Sequence, residues 1–196
     1  MTHDPRLVRI AAGLHPLVER VRTDVTAIRK ANGAQAWTDE PLTDERLIGH
    51  LNGGPPRGVC PIEAGESVVY VAVLDFDSHG GEIDWPTMSE TVARVAQVLQ
   101  DQGYTPILFR SGGGRGVHLY LLWNSPQDAY SVREMLREVL AACGLKSGTR
   151  GVSNSEIEIY PKQNEVSPKG FGNQFILPGA RASVPLEVKQ EEDPWW

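Results

Sequence analysis

The sequence predicts an α+β domain on a split βαβ, RRM-like sheet, with mostly antiparallel strands flanked by helices and a helical and loop segment ahead of it. Three observations carry this. Val68 to Leu74 is an unbroken apolar run rich in β-branched residues that leads into Asp75-Phe76-Asp77, and it reads as a buried strand. Two amphipathic helical patterns follow, from Trp85 to Gln102 and after Ser125. Strand candidates lie in adjacent pairs, 105–110 with 117–123 and 157–160 with 174–177, as antiparallel hairpins require.

The elements follow in order. Leu7, Val8, Ile10, Ala11, Leu14, Leu17, Val18, Val21, Val25 and Ile28 recur at three and four, a helical period that Pro16 should divide or kink. Residues 31–40 are polar and contain Gly33, which predicts a loop. Thr43 suits the N-cap of a short helix to Leu51, and Asn52-Gly53-Gly54-Pro55-Pro56 is a turn. In the helix from Trp85, Val92, Val95, Ala96 and Leu99 share a face, and Gly103 ends it. Ser125-Pro126 resembles an N-cap with proline at the first helical position, followed by a helix that turns Val132, Leu136, Val139 and Leu140 inward and stops at Gly144. Residues 146–154 read as a polar loop and 187–196 as a tail. The division expected is one domain over 1–186, with an N-terminal lobe at 1–62 and a sheet core at 63–186.

The net charge of −6 argues against sequence-independent coating of DNA, although a local basic groove remains compatible with it. Two cysteines without a C-x-x-C pair encode neither a zinc ribbon nor a disulfide framework. With no long apolar run, the expectation is a cytoplasmic protein without a membrane partner.

Chemistry concentrates in three stretches. Alternation along a strand puts Asp75 and Asp77 on one face, about 7 Å apart. Oxygen ligands so placed suit a hard cation such as Mg²⁺ or Mn²⁺. In Arg110-Ser111-Gly112-Gly113-Gly114-Arg115-Gly116-Val117-His118, glycines allow close backbone approach, and Ser111, Arg115 and His118 add donors suited to phosphate. The loop is neither a Walker A motif nor G-x-G-x-x-G, and a plain hairpin turn would look similar. Glu156-Ile157-Glu158-Ile159-Tyr160-Pro161-Lys162-Gln163 places both glutamates on one strand face; alone it is an ordinary half-exposed strand.

Taken in order, the D-x-D strand, S-G-x-G-x-G-h-H (h apolar), the strand running into Y-P-K-Q, and Gly172-Asn173 through Leu177-Pro178 resemble the archaeo-eukaryotic primase superfamily. The chain is most similar to its primase-polymerase branch from plasmids, phages and mobile elements. Arg22-Thr23-Asp24-Val25, and the segment from His50-Leu51 to Gly58-Val59-Cys60-Pro61-Ile62, extend the likeness over Leu14 to Pro178. The resemblance implies that Asp75 and Asp77 hold catalytic metal and that Glu158 is the third carboxylate, with Glu156 on the same face as its competitor. It implies nucleotide contacts from Ser111, Gly114, Arg115 and His118, and Lys162 is spaced to reach a phosphate. Many relatives have aspartate where this chain has only glutamate.

The implied activity is template-dependent nucleotidyl transfer by two Mg²⁺ or Mn²⁺ ions, without zinc. It would make or extend primers on single-stranded DNA from NTPs or dNTPs, with a helicase or single-strand-binding protein as further partners. Two alternatives stand beside it: an end-joining or gap-filling repair polymerase of the same superfamily, and a nucleic-acid-binding module that has lost catalysis.

Overall fold

The computed structural model describes residues 4–29 and 35–187. Among them the elements run α1 (Pro5–Val18), β1 (Thr26–Arg29), β2 (Gln35–Thr38), α2 (Asp44–Leu51), β3 (Arg57–Val59), β4 (Val68–Phe76), α3 (Trp85–Asp101), β5 (Ile107–Arg110), β6 (Val117–Asp128), α4 (Ala129–Ala142), β7 (Lys146–Ser147), β8 (Glu156–Tyr160), β9 (Phe175–Ile176) and β10 (Pro185–Leu186). The strands form a six-stranded sheet, β10-β5-β6-β4-β8-β7, and a four-stranded sheet, β2-β1-β3-β9. Every pairing is antiparallel except β7 with β8. This is the expected α+β architecture. No helix among the described residues is long and apolar enough to cross a membrane.

β4 lies inside the larger sheet and separates two apolar clusters. Ala72, Leu74 and Phe76 join Val92, Val95 and Leu99 of α3 and Leu136 and Leu140 of α4. Val71 and Val73 face the other way, toward Leu14 and Leu17 of α1, Leu47 of α2, Val59 of β3 and Phe175 of β9. The β4–β6 register shifts between Val69 and Val71. Val69 accordingly packs with the first cluster while Val71 packs with the second, because the irregularity, from Val69–Gln127 to Val71–Leu122, reverses the alternation. That shift sets which face Asp75 occupies.

Several local expectations are corrected. The strands at 157–160 and 174–177 do not form a hairpin: β8 pairs with β4 and β7 in the larger sheet, whereas β9 pairs with β3 in the smaller one. Pro16 lies in the last turn of a single helix, which ends at Val18. Val21 and Val25 are buried beyond that helix, and Ile28 belongs to strand β1, which pairs with both β2 and β3. Part of the stretch read as a loop is therefore β2; residues 31–34 lie outside the described set. Ser125-Pro126 does not start a helix. β6 continues to Asp128, whose pairing with Val68 carries the strand past the proline, and the Asp128 carboxylate caps α4 by accepting from Ser131 N at 2.8 Å. Thr43 caps α2 as expected, and Gly103 follows α3 at φ 86°. The polar stretch after α4 contains β7 and a 3₁₀ turn at Val152–Asn154. The predicted tail lies, from residue 188 on, outside the described residues.

Glu156 fastens this last stretch to β8. It is 8% exposed and accepts from Arg150 Nη2 at 2.6 Å, Arg150 Nε at 2.9 Å and Arg150 N at 3.0 Å, with Lys146 Nζ at 3.5 Å. The Arg150 side chain, and then its backbone amide, hold the carboxyl down to about 2. A depressed carboxyl stabilises the fold above its ordinary value of 4.5 and loses that contribution as pH falls toward about 2. Glu156→Gln should therefore lower the urea midpoint at pH 7 and flatten its fall through this acid window. Equal midpoints for both proteins at pH 7 and pH 3 would show that the ion pairs do not stabilise the fold.

Candidate active site

Register brings the predicted residues together. Asp75 stands opposite His118 of β6 on one side and Glu158 of β8 on the other. Directly opposed residues share a sheet face, so three adjacent strands present an unbroken row of histidine, aspartate and glutamate. Asp77 follows just beyond the end of β4. The row faces a cleft of about 420 Å³ whose far wall is Pro56, Ile176 and Leu177 and whose rim includes Ser111–Gly113, Ala180 and Arg181.

A buried aromatic cluster supports the row, and of its members Tyr160 also lines the cleft. Tyr120 and Tyr160 both pack edge-on against Phe175, with ring centroids 6.0 and 5.9 Å away. Each lies two residues beyond a site residue on its strand and reaches back to it. The Tyr160 hydroxyl donates to Glu158 Oε2 at 2.9 Å, and the Tyr120 hydroxyl lies 3.2 Å from His118 Nδ1. Burial pushes both phenols up, so both remain O–H groups. His118 Nε2 is 3.4 Å from Asp75 Oδ1. Burial works against the charged imidazole, but the Asp75 and Asp77 carboxylates outweigh it and raise its pKa.

Two glycines place the end of β4. A Cβ on Gly151, at φ 81°, would come 2.6 Å from the Asp77 carbonyl oxygen, which accepts from Val152 N at 3.0 Å. A Cβ on Gly116 would collide with the Phe76 carbonyl from the other side. The Asp77 side chain meets His79 Nδ1 at 2.9 Å, while His79 Nε2 lies 2.7 Å from the Thr149 carbonyl. Burial, and then the charge of Asp75, raise the Asp77 carboxyl. Asp75 and Asp77, two residues apart at one strand end, both line the open cleft, and their hard oxygen donors fit Mg²⁺ or Mn²⁺.

The third carboxylate is engaged elsewhere. Glu158 meets Lys162 Nζ at 2.8 Å as well as Tyr160. Among the described residues no three His, Cys, Asp or Glu side chains converge closely enough to hold a metal ion. Glu156 is turned into its contacts with Arg150 and Lys146.

The glycine loop closes on itself. Ser111 N donates to Gly116 O at 2.8 Å, Gly116 N to Ser111 Oγ at 3.0 Å and Gly114 N to Ser111 O at 2.9 Å. The Ser111 hydroxyl hydrogen remains available on the cleft side. Gly114, at φ 76°, packs beneath Ala182 rather than lining the cleft. Arg115 extends over Gly81, also outside the lining, and Lys162 lines a neighbouring pocket with Glu158. Sequence reasoning missed His79 and Arg181. His79 follows Asp77 at the extended-chain spacing that puts both on one side, so its signal was present. Arg181 owes its place to a left-handed backbone, φ 55°, that no pattern announces.

The fold is similar to that of a solved structure. The polymerase domain from Mycobacterium tuberculosis Ligase D, solved in complex with DNA, superposes with a TM-score of 0.56 at 17% identity, over 90% of this chain and 76% of that one. The archaeo-eukaryotic primase domain of the cyanophage S-2L primase-polymerase aligns with a TM-score of 0.45 at 18% identity, over 84% of this chain and 94% of that one. No curated protein sequence matches. The family described as "TOTE conflict system, Archaeo-Eukaryotic Primase domain" matches residues 14–185, nearly the whole of the described fold, and the chain belongs to that family.

Proposed function

We propose that the chain is a template-dependent nucleotidyltransferase that makes or extends primers on single-stranded DNA, using NTPs or dNTPs. The observation that carries this reading is the His118–Asp75–Glu158 row, with Asp77 at its end, facing a cleft rimmed by the Ser111–Gly113 loop. Asp75 and Asp77 would hold Mg²⁺ or Mn²⁺, and the bound cations would activate the attacking hydroxyl and neutralise the leaving pyrophosphate. His118, whose pKa the neighbouring Asp75 carboxylate raises, and the Ser111 hydroxyl donate to the triphosphate and stabilise its charge. Glu158 would be free to hold the cations as a third carboxylate once Lys162, now 2.8 Å from it, paired with a phosphate instead. The rigid sheet holds all three carboxylates in place.

The decisive experiment offers the full chain an unprimed single-stranded template with labelled nucleotides and Mn²⁺. Short products of a few nucleotides are expected. Extension only of supplied primers would favour a gap-filling or end-joining role, and no incorporation on any substrate would overturn the reading.

Asp75→Asn and Asp77→Asn should each lower incorporation by at least about a hundredfold at saturating nucleotide, with the fold intact by circular dichroism. Glu158→Gln should follow them, while Glu156→Gln should keep near wild-type turnover, since its partners are Arg150 and Lys146. The reverse ranking would move the third carboxylate to Glu156.

His118→Ala removes a charge-assisted contact worth roughly 1.5–3 kcal/mol. Nucleotide affinity, read from a titration in Mn²⁺, should fall by about ten- to a hundredfold while template binding stays near wild type. Retained nucleotide affinity with lost template binding would reassign the glycine loop to the strand.

A further inference from the structure

A second, smaller pocket lies on the other side of Glu158. It measures about 120 Å³ and is lined by Arg133 and Arg137 of α4, Gly148 and Thr149 beyond β7, and Glu158 and Lys162. We propose that it binds a phosphate of the strand that carries the attacking 3′-hydroxyl. The proposal rests on the nucleotidyltransferase reading and names how that site would grip its primer.

Charge selects an anion here. Lys162 is matched by Glu158 at 2.8 Å, and Arg137 pairs with Glu134. Arg133 meets the neutral side-chain carbonyl of Asn164 and, among the described residues, forms no ion pair. Three cations therefore face two carboxylates. The Arg137–Glu134 pair is also solvent-exposed, its side chains 43% and 36% exposed, and such pairs contribute little net stability, so a phosphate can compete for the guanidinium. A local positive excess beside the cleft of a chain with net charge −6 is the kind of patch that phosphate recognition requires. The pocket has room for one phosphate group, whereas the cleft is more than three times larger, about 420 against 120 Å³.

Position selects the strand over the nucleotide. The glycine loop joins β5 to β6, so Ser111 and His118 approach Asp75 from the β6 side. The small pocket approaches from β8 and α4, on the opposite side. In-line displacement needs the attacking oxygen and the leaving pyrophosphate on opposite sides of phosphorus. If the triphosphate lies on the β6 side, the attacking strand arrives from the β8 side. Glu158 borders both spaces, so a phosphate held by Arg133 and Arg137 lies next to the reacting centre.

The test measures binding of a fluorescent primer–template, by anisotropy across a salt series in metal-free buffer, beside the nucleotide KM for primer extension. Arg133→Gln and Arg137→Gln should each weaken primed DNA about tenfold and lower the salt slope by about 1, with the nucleotide KM unchanged. Arg133→Lys keeps the charge and should keep the slope, which separates lost charge from lost folding. Unchanged DNA affinity in both glutamine variants, with or without a raised nucleotide KM, would overturn the proposal. So would an equal loss on unprimed template, which would put the template strand in the pocket. If the wild-type chain extends primers and the variants bind as tightly, the pocket assignment fails and the polymerase reading stands. If the variants lose DNA but the wild-type chain adds no nucleotide, the phosphate site stands and the polymerase reading fails.

Discussion

The site depends on the register of one strand. β4 is paired on both sides, and only the observed pairing sets Asp75 opposite both His118 and Glu158. A slip of one residue would turn Asp75 into the apolar layer of α3 and α4 and send Leu74 or Phe76 into the cleft. Burial resists that slip, because Leu74 and Phe76 are 1% and 0% exposed and fully burying one such side chain is worth about 1.5–3 kcal/mol. Hydrophobic packing on the covered face thus fixes the chemistry on the open one. The register shift near Val69 belongs to the same constraint, since it reverses the phase before the strand enters the core. At the far end, Gly116 and Gly151 let neighbouring loops close on the last carbonyls, so the backbone around Asp77 has little room to move.

Placing carboxylates together on a half-buried face carries an electrostatic cost, and the fold answers it residue by residue. Asp75 faces His118, Asp77 faces His79, and Glu158 faces Lys162 and the Tyr160 hydroxyl. None of these is a closed, fully buried ion pair. His79 and Lys162 are partly exposed, so each can give up its carboxylate to a competing cation and turn to a phosphate instead. Tyr120 and Tyr160 differ: they are held by Phe175 from the second sheet, and they anchor His118 and Glu158 whatever the outer partners do. The small sheet therefore orients the site through its aromatic ring as well as walling the cleft.

Much of this was legible because it rests on long periodic segments. The strand at Val68, the helices from Trp85 and through Val132–Leu140, and the pairing of 105–110 with the following strand all carry strong burial patterns, and the structure reproduces them. What was missed is short or is decided by tertiary pairing. β3 has three residues and β10 two, too few for alternation to register, and both exist because a partner strand supplies their hydrogen bonds. Ser125-Pro126 offered a sound local cap, yet pairing of Gln127 and Asp128 with Val69 and Val68 prevailed. Val21, Val25 and Ile28 show that spacing of three and four can arise from a turn and a strand that bury the same side. Within the site, the aspartates were readable from strand alternation and His118 from the family resemblance, whereas the Arg150 contacts that distinguish Glu156 from Glu158 are set by tertiary structure.

Net charge described the chain poorly for a related reason. An excess of six negative charges is an average over the whole surface, and a bound strand or nucleotide responds to the charges within roughly a Debye length, about 8–10 Å at physiological salt. Around the cleft and its neighbouring pocket the basic groups are His118, Lys162, Arg133, Arg137 and Arg181, contributed by four separate segments of the chain and set beside Asp75, Asp77 and Glu158. No basic run in the sequence announces them. They meet because β6, β8, α4 and the loop after β9 converge on one end of β4, so the positive surface is a product of topology. An acidic exterior around such a patch also discourages non-specific adhesion to nucleic acid. It leaves productive binding to a polyanion that reaches the carboxylate row.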